Sequence, residues 1–213
     1  MLPVNPIGVF NDWCDGMKPI TNRDIALITS LTQLSIAERV SVLMLKINRK
    51  WITEIRIGSE PYDSKINDIS GTLDELGLSY GMNWYIHSKK GRLEWIQVAS
   101  SPNLLRYIER DTPLNKSGRF PADYIQERKS LTSLEAGILY GYPITAVLAF
   151  TKIYGKPKYA RKTTSAQYYQ AGVYSETHYM EEQRYYESVW KLLQKTAPEL
   201  IALAEADFKC LKQ

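Results

Sequence analysis

Apolar positions recur at helical spacing in several stretches of the chain. Ile25, Ile28, Leu31 and Leu34 follow Thr21 and Asp24, which stand at capping-box spacing and predict a short amphipathic helix. Ser35 and Glu38 repeat that signature before Ile36, Val40, Leu43, Met44 and Ile47. Val42 and Leu45 widen this second stripe, so the helix is expected to be well buried, ending at Asn48-Arg49-Lys50. The period then changes from helix to strand. Trp51 to Ile57 read as a strand stopped by Gly58, and Ser59 to Gly71 as a polar loop. Leu73, Leu76 and Leu78 suggest a short helix near Gly77. Residues Asn83–His87 and Leu93–Val98 flank a basic, Gly-containing tip and predict a β-hairpin.

Ser101-Pro102 starts the next helix, to about Arg110, with Ser at the N-cap and Pro at the first helical position. Asp111 to Lys129 is a polar connection. Thr132 and Glu135 form a third capping box, opening a helix from Leu134 to Tyr140. Gly141-Tyr142-Pro143 interrupts it, and Ile144 to Ile153 form the next helix. Tyr154 to Tyr174 have no period and are expected as one long, basic, Tyr-rich loop, which can be mobile. A final helix is expected from Ser175 through Gln194, restarting at Thr196 and Glu199. Met1 to Ile20 read as an irregular arm pinned by Phe10 and Trp13. The whole predicts a single α+β domain: a small antiparallel sheet, made of the 83–98 hairpin and strand 51–57, packed by helices, with a helical C-terminal part.

Composition narrows the class. The 213 residues are 44% hydrophobic and 23% charged, which excludes a chain disordered throughout. The uncharged run from Ala136 to Thr151 is too short to span a bilayer, and the N-terminus lacks a basic and apolar export signal. Two distant cysteines, Cys14 and Cys210, fit free thiols in a reducing, cytoplasmic setting, with a bridge between them the minor alternative. The net charge of +4 is unevenly spread. Residues 152–162 hold five cations and no acid, whereas residues 175–213 hold seven acids and five cations. Eight of the 15 tyrosines lie between Tyr154 and Tyr186.

Most catalytic chemistry finds no support in these patterns. The two His, His87 and His178, and the two Cys have no zinc-ligand spacing. His178 and Glu182, four residues apart, would share a helix face but supply two ligands at most. There is no nucleophile elbow, P-loop or dinucleotide-binding glycine motif. Glu54 and Glu94 are the strand acids available to a metal-dependent nuclease, and neither is followed by Lys two positions on. Glu135 is explained by its capping box, and Gly137-x-x-x-Gly141 by close helix packing. No metal or cofactor is expected.

The sequence therefore favours a non-enzymatic binding protein. Lys152, Lys156, Lys158, Arg161 and Lys162 attract phosphate, and the interleaved Tyr159, Tyr168 and Tyr169 can stack on unpaired bases. Lys89, Lys90 and Arg92 at the hairpin tip extend this surface if they share its side. The expected partner is single-stranded nucleic acid or another polyanion. An alternative is a protein-interaction or oligomerisation face built on Tyr179, Tyr185 and Tyr186. A third is an enzyme assembled from scattered Glu, Arg and Tyr residues, which a pocket holding Glu135 or His87 would favour.

Overall fold

The computed structural model describes residues 19–58, 63–87, 91–109, 132–170 and 172–212. Two sheets and nine helices are present among them. Helix α1 (Asn22–Ser30) and helix α2 (Ile36–Lys46) each begin with the expected reciprocal capping box, Thr21 with Asp24 and Ser35 with Glu38. Strand β1 (Ile52–Gly58) follows, then helix α3 (Asp63–Glu75), strand β2 (Ser79–His87), strand β3 (Gly91–Ala99) and helix α4 (Pro102–Glu109). The three strands form an antiparallel sheet in the order β1-β3-β2, with Ile96 of β3 opposite both Ile55 and Met82. The α+β reading is correct.

Helix α5 (Ser133–Leu139) carries the third capping box, and helix α6 (Ile144–Phe150) starts just after Pro143. Gly141 joins them with φ of +77°, and a Cβ there would lie 2.1 Å from the Arg49 carbonyl oxygen, so no other residue fits. Gly137 serves the packing role expected of it: a Cβ there would come within 2.8 Å of the Val147 methyls of α6. Helix α8 (Tyr179–Thr196) and helix α9 (Pro198–Cys210) complete the chain. The main core gathers Ile28, Leu43, Ile55, Leu73, Ile96, Leu193 and Leu200, all fully buried. Burying each such side chain is worth about 1.5–3 kcal/mol.

Three expectations need correction. Part of the stretch 59–71 is helix, because α3 starts at Asp63, well before the leucines that mark its end. Residues 154–174 are not one loop. They hold strand β4 (Pro157–Lys158), paired antiparallel with β5 (Tyr174–Ser175), and between them helix α7 (Ser165–Gln170). Tertiary packing supplies what periodicity lacks: the Tyr169 ring stacks on Trp190 of α8, with centroids 5.7 Å apart. Ser175 consequently belongs to β5, and α8 starts at Tyr179. Phe10, Trp13, Cys14 and the connection Asp111–Lys129 lie outside the described residues.

A candidate polyanion surface beside a tyrosine interior

The basic segment begins where α6 stops. Lys152 takes a left-handed φ of 60°, while the amides of Ile153 and Tyr154 both bond to the Leu148 carbonyl. The chain then runs through β4, which Glu176 extends by donating its amide to the Lys156 carbonyl. Lys152, Lys156, Lys158, Arg161 and Lys162 are all exposed, and none forms an ion pair with a described residue.

Two cations rest on aromatic faces. The Lys158 ammonium sits 3.9 Å from the Tyr179 ring centroid and that of Lys162 5.9 Å from the Tyr168 centroid. Partial desolvation draws the Lys162 ammonium below its ordinary pKa. At the entrance to α7, the Thr163 and Thr164 amides and the Thr163 hydroxyl all donate to Gln167 Oε1. From the far end of the chain, Lys212 Nζ donates to the Thr163 carbonyl at 2.7 Å. This brings a sixth cation, which the sequence reading left out, onto the segment.

The tyrosines divide into two sets. Tyr159 is 74% exposed and its ring is open to a ligand, whereas Tyr168 is 39% exposed and packs on Phe208 and edge-on against Tyr169, with centroids 5.4 and 4.9 Å apart. Tyr169 is buried, and its hydroxyl donates to Asp207 Oδ2 and the Ala204 carbonyl, so it supports α7 against α9 and presents no ring to a base. Desolvation and the Asp207 carboxylate raise its pKa. The expected partner face divides in the same way. Tyr179 and Tyr185 are half-buried, but Tyr186 is 2% exposed and packs edge-on against Tyr174. Lys89 and Lys90 lie outside the described residues, and Arg92 stands in β3 opposite Ile86.

Beneath β5 lies a group that sequence patterns did not single out for its surroundings. Glu182 is fully buried, accepting the Thr145 hydroxyl at 2.5 Å and the Ser175 amide at 2.8 Å. Desolvation lifts its carboxyl above the ordinary glutamate range, against the pull of those two hydrogen bonds. His178 bonds to Glu181 instead, at 2.9 Å. Tyr174, Tyr186 and Gln170 each bury an oxygen with no hydrogen-bond partner among the described residues.

Lys50 was also missed. It is buried, its Nζ meets only Ser41 Oγ among the described residues, at 3.2 Å, and desolvation lowers its pKa to about 8. Glu135 keeps its capping role and also accepts the Tyr107 hydroxyl. No group of three or more potential metal ligands exists among the described residues. No described helix is long and apolar enough to cross a membrane. Comparisons with known families, curated proteins and solved structures return no match.

Proposed function

We propose that the protein binds single-stranded nucleic acid through the surface formed by residues 152–168. The observation that carries this reading is the set of five exposed cations without a carboxylate partner among the described residues, interleaved with the open ring of Tyr159 and the partly exposed ring of Tyr168. Unpaired surface cations gain by replacing the counterions of a phosphate backbone. Exposed tyrosines gain by stacking on bases of any sequence. The stretch Lys156–Lys162 reaches at most about 20 Å, room for a few nucleotides. Lys212 extends the positive surface. A partner interface on the tyrosines of α8 has less support, because Tyr186 is committed to the interior.

Fluorescence anisotropy of a labelled oligonucleotide tests the reading. Binding should weaken by about 50-fold between 50 and 200 mM salt if four phosphates are neutralised. The variant K156Q/K158Q/R161Q/K162Q should lose the salt-dependent component, lowering the slope by about 3. Tyr159→Ala should weaken binding about ten-fold with the slope retained. Absence of binding at 50 mM salt, or an unchanged slope in the four-cation variant, overturns the proposal.

A further inference from the structure

A cleft of about 310 Å³ opens between α5, α6 and the turn at Gly172-Val173. Its floor is the buried pair Ala146 and Val147, and aromatic rings from Tyr140, Tyr142 and Phe150 line it. Small residues line much of it: Ala136 and Gly137 on α5, Ala146 on α6 and Gly172 on the turn, with Gly137 letting α6 pack close through Val147. A Cβ at Gly172 would press on the Tyr142 ring at 3.3 Å.

Two features suit an occupant. Phe150 ends a largely buried helix yet stays 47% exposed at the cleft. The Tyr142 hydroxyl, unlike that of Tyr140, has no partner among the described residues. Tyr140 donates to Glu54 Oε1 at 2.7 Å, which fixes its ring. A tyrosine hydroxyl is protonated at neutral pH and can donate, and desolvation moves the Tyr142 pKa further up.

We infer that this cleft is a binding site for one planar aromatic ring bearing a hydrogen-bonding substituent that Tyr142 can meet. Apolar walls take the ring faces and Tyr142 takes the polar substituent. The volume stands at the low end for ligand sites, which selects a single ring system over a peptide segment. A free aromatic molecule and the base of a nucleic acid strand share this chemistry. The cleft does not depend on the basic surface, so the two proposals fail separately.

Saturation-transfer NMR on the full chain, with phenol and uridine as separate probes, tests the inference. Phenol should bind with Kd of about 1 mM, as a ligand of its size allows. Ala136→Leu fills the cleft from its half-buried wall and should abolish the signal. Tyr142→Phe keeps the ring and should weaken binding about five-fold. Circular dichroism and thermal melting confirm that both variants fold. A response to uridine as well as phenol assigns the cleft to a nucleobase, and a response to phenol alone assigns it to a free aromatic molecule. Silence from both probes at 10 mM, or a signal that survives Ala136→Leu, overturns the inference.

Discussion

The molecule has two interiors built on different principles. Under the three-stranded sheet, Ile28, Leu43, Ile55, Leu73 and Ile96 meet as aliphatic surface with no polar side-chain demands. Between α6, β5 and α8, Tyr174 and Tyr186 enclose the region around Glu182 and bury hydroxyls with no partner among the described residues. The first interior stabilises in proportion to the area it removes from water. In the second, each unmatched polar oxygen costs about 1–3 kcal/mol. That less economical interior lies directly beneath the basic surface, with Tyr174 and Ser175 paired to Lys158 and Pro157. Unmatched tyrosine hydroxyls thus lie beneath the candidate binding chemistry, while on the side of α2 and the sheet the unmatched buried atoms among the described residues are Arg39 Nε, Arg49 Nε and Ser100 Oγ.

Substitutions can break or sharpen this contrast. Leu43→Ala should cost the most, about 3 kcal/mol, by leaving a cavity in the aliphatic core. Urea denaturation measures it, and a loss below about 1 kcal/mol would show that the core collapses around the gap. Glu182→Ala should cost about 2 kcal/mol, because the Thr145 hydroxyl and the Ser175 amide lose their acceptor.

Glu182→Gln sharpens the reading through pH. The folded state holds the Glu182 proton more tightly than the unfolded chain, whose value is near 4.5. Stability from this group is therefore full below that value and falls as pH rises through the raised folded value. The Gln variant should show a flatter pH–stability profile across that interval, and a profile identical to wild type would remove Glu182 as its source. The smallest effect belongs to Tyr186→Phe. Deleting an unmatched hydroxyl should leave stability unchanged or raise it by up to about 1 kcal/mol. A clear loss would mean that the hydroxyl has a partner.

Local signals were legible in the sequence. Three capping boxes, the hairpin and the β1 strand each rest on residues a few positions apart, and all appear where expected. The basic cluster was equally plain, being a matter of composition. What escaped depends on distant packing. Nothing in the order of residues separates Tyr168, whose ring is partly exposed, from its neighbour Tyr169, whose ring stacks on Trp190. Helix α7 exists because that stack and the Asp207 hydrogen bond hold it. The early start of α3 was hidden because its first residues are polar. The aromatic cleft was invisible for another reason: residues from three separate segments meet to line it.

Gly141 carries a consequence for how this fold can change over generations. The backbone of Arg49 and Lys50, which leads from α2 into β1, lies against the very point where α5 turns into α6. Two stretches of chain distant in sequence therefore share one atom-sized gap. Most surface positions can drift, and core positions can exchange one aliphatic residue for another. This position can do neither while the left-handed turn and the neighbouring carbonyl stay in place. Descendants of the sequence that keep the architecture are confined to glycine here. Loss of that glycine would mark the point at which the α5–α6 hairpin parted from the sheet.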